Sequence, residues 1–581
     1  MIFTRRLTAT LLFCSWIPVS GMSTEIPACP LGADHPLEVR VNDLLNRMTL
    51  EEMASQLVSR SPAIQRLGIP AFIWDNEGKH AFVSCFPVSI GIAATWNPSL
   101  SERVASAISD EARATHNNLV KEGKTQRYLC FWAPTINMAR DPRWGRINES
   151  FGEDPYLTTQ LAIPFIRGIQ GNDPKYLKAA AGINHYAVYS EERDRHSVDA
   201  IVRDERLLRD YYLPQFEACI KQGGAATVGA TNNGLNGVPL CANRFMLNNI
   251  LRQEWGFNGF VFSDSASVED LYQTRALVPD AATAAAAALG AGCDINTGLS
   301  DTYLKYLPEA VRQSLISKND VVEACRRVMT VRFRLGLFDP PDEVQYSRIT
   351  DRVIDSSANR QLARDVAAES IVLLKNEGNI LPLQTSIIKR ILVTGPRADL
   401  PELGRKQTGS SSKNVSALEG IRQRGSAAGM EVVYEKESAA SVRAASSSDV
   451  VLFFTSLMEG EVSDRMNLDL PPRQEKQLLD LIETGTPIVV VFISGGCVTS
   501  ERWIEHVPAA LAAWYPGEEG GNAIADILFG DVNPSGKLPI TFYRNREQLL
   551  PFDEFDIRKG MTYQYAKAPV QWSFGHGLGY T

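Results

Sequence analysis

The chain predicts an α/β fold in two unequal units, and three observations carry that reading. Short apolar strands alternate with helical stretches from Thr49 to Phe338, the pattern of parallel α/β architecture. A polar, proline-bearing break at Asp339-Pro340-Pro341-Asp342 interrupts it, and a second strand–helix series follows. The length, 581 residues, exceeds what one hydrophobic core supports. Residues 30–338 fit a (β/α)8 TIM-like barrel with long loops. Residues 339–358 read as a linker, and 359–581 as an α/β sandwich domain built on an open sheet with both faces covered.

Residues 1–21 read as an export signal: Arg5 and Arg6, a mostly apolar Leu7 to Val19, then the small residues Val19-Ser20-Gly21. The apolar part is shorter than the roughly 20 residues a membrane span needs. The expected location is therefore secreted or periplasmic. A capping box, Thr49 with Glu52, opens an early helix. Candidate strands of the first unit are Leu129 to Ala133, Ala179 to Ile183, Ala225 to Ala230 and Gly259 to Phe262. Helices are expected over Ser101 to Asn117, Glu205 to Gln222 and the alanine-rich Asp280 to Leu289. In the second unit the strands are Arg390 to Thr394, Met430 to Tyr434, Val450 to Thr455, Pro487 to Ser494 and Ala509 to Trp514.

A net charge of -8 argues against a nucleic-acid or anionic-membrane partner, since both reward clustered Lys and Arg, and suits an uncharged substrate. Eight cysteines would remain after loss of the signal, scattered and without a C-x-x-C pair, which excludes a zinc ribbon or redox motif. One or two disulfides would fit an oxidising compartment. The close pair His185 and His196 matches no common zinc spacing, so no metal site is expected.

The run Gly259-Phe260-Val261-Phe262-Ser263-Asp264 ends an apolar strand in a carboxylate. At the loop-bearing face of a barrel such an Asp can attack or polarise a substrate. It could equally cap the following helix, unless Ser267, with Asp270 three residues on, takes that task. Other ordered segments surround it: Arg140-Asp141-Pro142-Arg143-Trp144-Gly145-Arg146 with Glu149, then Gly152-Glu153-Asp154-Pro155, His185 after a strand, and Asn236-Gly237. In the second unit stand Glu459-Gly460-Glu461-Val462-Ser463-Asp464-Arg465, Asn533-Pro534-Ser535-Gly536-Lys537 and Phe574-Gly575-His576-Gly577.

Together these resemble family 3 glycoside hydrolases, most of all the β-xylosidase and β-glucosidase branch. The resemblance covers nearly everything after the signal. It implies a retaining exo-β-glycosidase without cofactor, whose Asp nucleophile lies on the barrel and whose Glu acid/base comes from the second domain. It assigns Asp264 as nucleophile and Glu461 as acid/base, four residues before Arg465, with Glu459 as competitor. Two carboxyls are required because one attacks the anomeric carbon while the other protonates the leaving oxygen. The resemblance makes Arg140 and His185 sugar-binding residues, and leaves Arg143 and Arg146 to pair with acids such as Glu149 or Asp154. Glu77, in Trp74-Asp75-Asn76-Glu77, matches an acid gripping the outer hydroxyls. Glucosidases usually carry Asp there; the longer Glu would fill the space of a hydroxymethyl group and favour xylose or arabinose.

Three positions depart from the pattern. Asn184 stands where the family usually has Lys, Asn232 where a Tyr usually lies, and Ser265 where Trp or Cys is commoner. The His-Asp loop motif of the family's N-acetylglucosaminidases is missing. The chain stops at Thr581, where many relatives continue into a fibronectin type III domain. Two domains and no third are expected, and the surface left open is a candidate homodimer contact. The function expected is a β-xylosidase, with α-arabinosidase activity as an extension, acting on small oligosaccharides or aryl glycosides. A β-glucosidase, or a sugar-binding member impaired by Asn184, is the alternative.

Overall fold

The structure, a computed structural model, describes residues 31–298, 300–404, 409–567 and 569–581. The expected export signal and Cys29 lie outside the described residues.

The first unit is built on four parallel strands, in the order Cys130–Phe131, Ala180–Tyr186, Thr227–Ala230 and Phe260–Ser263. Every residue of the four is buried, as a sheet covered on both faces requires. Single parallel bridges carry the pairing outwards, through Phe262 to Ile295 and Val58 to Asn296 on one flank and Phe72 to Gln126 on the other. Between these flanks Arg60–Ser61 pairs antiparallel with Phe72–Ile73. Of the expected (β/α)8 TIM-like barrel, the described residues show the alternating α/β character and four parallel strands. Two-residue strands and isolated bridges stand where longer ones would complete a barrel.

Helices cover this sheet, and their ends follow side-chain chemistry. Thr49 and Glu52 exchange both bonds of the expected capping box. Asn97 caps the long helix Pro98–Lys121, and Asp154 caps Pro155–Gln170. The alanine-rich helix Ala281–Ala291 starts on Asp280 and ends at Gly292, whose φ of 112° is the left-handed turn glycine allows. The expected cap by Ser267 does not form. Ala266 precedes the short helix Ser267–Asp270, and the Ser267 hydroxyl donates to Asn232 Oδ1 at 3.0 Å instead.

The second unit is a six-stranded sheet ordered Val372–Asn376, Ala509–Ala512, Ile488–Phe492, Val450–Phe454, Arg390–Thr394, Glu431–Tyr434. All neighbours are parallel except the first pair. Its central strands are unbroken apolar runs, which is why the sequence showed them. The antiparallel edge strand Val372–Asn376 was not anticipated, because it follows directly on the helix Ser357–Ser370.

The linker is pinned, not loose. Asn117 Nδ2 donates to the carbonyls of Tyr346 and Ile349, both at 2.9 Å, and Asp339 pairs with buried Arg40. The two cores also interlock: Val88, Ile90, Trp144 and Ile147 of the first unit pack into the second core, and Phe555, Ile557 and Met561 return to the first. Among the described residues all seven cysteines are free and buried, so the expected disulfides do not occur there. No helix of the described residues is long and apolar enough to cross a membrane.

Candidate active site

Where the strands of the first unit end, a cavity opens that both units line. Glu77, Lys79, Trp132, Arg146, Asn184 and His185 form its walls together with Arg195, Phe262, Asp264 and Glu461. Of the sequence-predicted residues, Asp264, Glu461, Glu77, Asn184 and His185 are brought together here. Arg140 and Asn232 are not.

Asp264 follows the strand Phe260–Ser263 and is held by its main chain. Its N–H donates to the Ala230 carbonyl at 2.8 Å, and its Oδ1 accepts the N–H of Ser265 at 2.8 Å. Burial raises the carboxyl above the ordinary aspartate value, while Arg146 and Arg195 pull it down. Asn232 acts one step back. Its Oδ1 takes the Ser267 hydroxyl and its Nδ2 reaches the Ser265 carbonyl at 3.4 Å, which braces the turn after Asp264.

His185 has a defined tautomer. The Asn137 amide donates through Nδ2 to the carbonyls of His185 and Ala187, so its Oδ1 is the acceptor for His185 Nδ1 at 3.2 Å. Burial, with Arg146, Lys79 and Arg195 nearby, lowers the imidazole well below its ordinary value. A neutral ring protonated on Nδ1 leaves Nε2 as an acceptor for a hydroxyl.

Glu461 arrives on a loop of the second unit that is docked on the first. Asp464 Oδ1 accepts the N–H of Gly145 at 3.0 Å, and its Oδ2 accepts those of Glu192 and Arg193, both at 2.8 Å. Gly145 is required by this contact, since a Cβ there would lie 2.0 Å from the Ser463 carbonyl oxygen. Arg195 Nη1 then bonds Glu461 Oε1 at 2.8 Å and Glu192 Oε2 at 3.2 Å. Glu459, the competing acid, is buried and ion-paired with Arg465 away from the cavity.

The expectation for Arg140 needs correction. Its guanidinium donates to Ser190 Oγ and to the carbonyls of Phe552 and Glu554, and lies 3.9 Å over the Phe555 ring. It joins the two units instead of facing the cavity. Arg146, six residues on, is the arginine of this motif that lines it. As expected it pairs with Glu149, Nε and Nη2 reaching Glu149 Oε2 at 3.0 and 2.8 Å, and it also faces the cavity. Arg143 pairs with Asp141.

Sequence reasoning missed Lys79, Arg195, Trp132 and Phe262 as cavity residues. Lys79 stands two positions after Glu77, and Arg195 sits in the charged stretch after His185 that was passed over. The stacked Trp132 and Phe262 rings, 5.1 Å apart, give the cavity an apolar wall of the kind that packs against a sugar face. The whole is suited to an uncharged polyol: carboxylates and cations at hydrogen-bonding height, with one aromatic wall. Among the described residues no group of three or more His, Cys, Asp or Glu side chains could hold a metal ion.

Comparison with known proteins agrees with this chemistry. Residues 38–331 match the glycosyl hydrolase family 3 N terminal domain, and 371–580 match the glycosyl hydrolase family 3 C-terminal domain. The chain is 34% identical to beta-D-xylosidase 1 of Arabidopsis thaliana over 97% of its own length and 76% of the relative's. It is 33% identical to beta-xylosidase/alpha-L-arabinofuranosidase 2 of Medicago sativa subsp. varia, over 99% of this chain and 80% of that protein. Among solved structures, a GH3 exo-beta-xylosidase in complex with a xylobiose aziridine probe superposes with a TM-score of 0.88 at 29% identity, covering 96% and 76% of the two chains. A beta-glucosidase from Erythrobacter marinus superposes with a TM-score of 0.83 at 31% identity, covering 94% and 83%. With both halves of the family's two-domain architecture matched and carboxylates from both units at one cavity, the chain belongs to glycoside hydrolase family 3 and is an O-glycoside hydrolase.

Proposed function

We propose that the protein is a retaining exo-β-xylosidase that releases a terminal pentose from short oligosaccharides or aryl glycosides. The observation that carries this reading is the pair of carboxyls, Asp264 and Glu461, on one cavity from two different domains. Asp264 attacks the anomeric carbon while Glu461 gives its proton to the leaving oxygen. Water then hydrolyses the glycosyl-enzyme ester, with Glu461 now taking a proton from it. His185 Nε2, Arg146 and Glu77 are assigned to the sugar hydroxyls. Such charge-assisted bonds are the stronger kind and keep the ring in place through both steps. The bridged segments flanking the four-stranded sheet are read as the remaining, shortened strands of a (β/α)8-type barrel.

Xylose is favoured over glucose because Glu77 lines the cavity and, by the family resemblance, its longer side chain would fill the space of a hydroxymethyl group. Relatives that carry the β-xylosidase name support the same choice. Arabinoside turnover is proposed as a side activity, from the double name of the Medicago relatives. Export through the N-terminal segment is proposed from the sequence alone.

The test is a panel of nitrophenyl β-xyloside, β-glucoside, α-arabinoside and β-N-acetylglucosaminide, with Asp264→Ala beside the wild type. The xyloside is expected to turn over fastest, and the variant to lose on the order of 10⁴-fold or more. Proton NMR of the first-formed sugar should show the β-anomer. Unchanged activity in Asp264→Ala sinks the mechanism, and faster glucoside turnover replaces xylose by glucose.

A further inference from the structure

The carboxylate of Glu149 is shared by two cations that the mechanism does not both require. Arg146 places two N–H groups on Glu149 Oε2, and Lys79 Nζ bonds the same oxygen. One guanidinium already neutralises one carboxylate, so Lys79 adds a buried positive charge to the wall. Its side chain is 2% exposed. A desolvated ammonium is costly unless further groups answer it. Lys79 has three N–H donors, of which Glu149 takes one, and it lines the cavity.

Across the same cavity Asn184 offers no charge. Its Nδ2 donates to the Trp132 carbonyl at 3.0 Å, and its buried Oδ1 has no partner. Gly229 leaves it room, since a Cβ there would stand 1.9 Å from that Oδ1. The cation that position 184 lacks is thus supplied at the same cavity from another segment of the chain.

We propose that Lys79 is a substrate-positioning residue, its ammonium donating to one hydroxyl of the glycone while Glu149 holds it in place. The proposal rests on the glycosidase reading above and deepens it. It makes Asn184 compatible with full activity, because the charge has moved and has not been lost.

The test is kcat/KM of the full chain and of Lys79→Gln on nitrophenyl β-xyloside and its 2-, 3- and 4-deoxy analogues. A lost bond from a charged donor should cost the variant about 100-fold on the parent xyloside. On the one analogue that lacks the hydroxyl held by Lys79, wild type and variant should agree within about two-fold. A merely structural lysine would instead lower all four substrates alike, and that pattern, or no loss at all, overturns the proposal. Lys79→Arg keeps the ion pair with Glu149 and guards against a folding defect. It should show the same single-hydroxyl dependence with a smaller loss, and a uniform loss there overturns the proposal equally. If the wild type cleaves a glucoside and no xyloside, only the pentose reading fails, and the same series on deoxyglucosides decides Lys79. Turnover of no glycoside in the panel overturns both.

Discussion

Asp264 shows how a single residue's surroundings set the working range of an active site. Burial raises its carboxyl from the ordinary 3.8, with Arg146 and Arg195 opposing. As the proposed nucleophile Asp264 must be ionised, so activity should fail on the acid side at a pH above the ordinary aspartate value. The acid limb of kcat/KM against pH is the measurement, and Arg146→Gln should move that limb upward by removing a cation that favours the charged form. An acid limb at or below about 4 would contradict the burial argument. Glu149 is the opposite case: burial would raise it, but Arg146 and Lys79 outweigh that and hold it at about 2. It therefore stays a counter-ion and takes no part in proton transfer near neutral pH.

At the scale of an element, the loop Glu459 to Arg465 carries the proposed acid/base Glu461. It carries no hydrophobic anchor of its own; Val462 and Met466 are exposed. Main-chain contacts hold it instead: Asp464 takes three N–H groups of the first unit, and Arg465 N donates to the Arg143 carbonyl at 2.8 Å. Gly145→Ala drives a methyl into the Ser463 carbonyl. The expected outcome is a loss of kcat of about 100-fold from the displaced Glu461, which is the scale of a misplacement near 1 Å. Thermal unfolding should shift little, because neither core is touched. A large drop in Tm with unimpaired kcat would show that the contact is structural only.

At the scale of the whole molecule the two units are coupled through a buried acid. Glu153 accepts the Thr541 hydroxyl at 2.6 Å and the Tyr563 N–H at 3.0 Å, beside Gly152, whose φ of 110° and contact with the Pro539 carbonyl exclude a side chain. Burial pushes the Glu153 carboxyl up to about 7. A folded value above the unfolded one favours the protonated form in the native state. This contribution is full below about 4.5 and is lost as pH rises through about 7. The unfolding free energy should therefore fall across that window, by roughly 3 kcal/mol if nothing else titrates. Glu153→Gln, which cannot ionise, should flatten the profile, and an unchanged slope in that variant would exclude Glu153 as its source.

The sequence by itself determined the strands of the second sheet and the helices whose caps are local, while the two candidate carboxyls were singled out by the family resemblance of the motifs around them. The strand and helix signals survive because they are local: apolar runs buried on both faces and a capping residue within one turn. Tertiary structure alone decided which arginine faces the cavity. Arg140 and Arg146 belong to one motif and differ only in what folds against them, the Phe552–Phe555 segment in one case and Glu149 at the cavity in the other. Lys79 was equally hidden, since its partner lies 70 residues away and only the fold brings them together. The four strands of the first sheet were legible as apolar runs, whereas the short flanking pair Arg60–Ser61 and Phe72–Ile73 was not. Whether an apolar stretch pairs over two residues or six depends on its neighbours, and those come from distant parts of the chain.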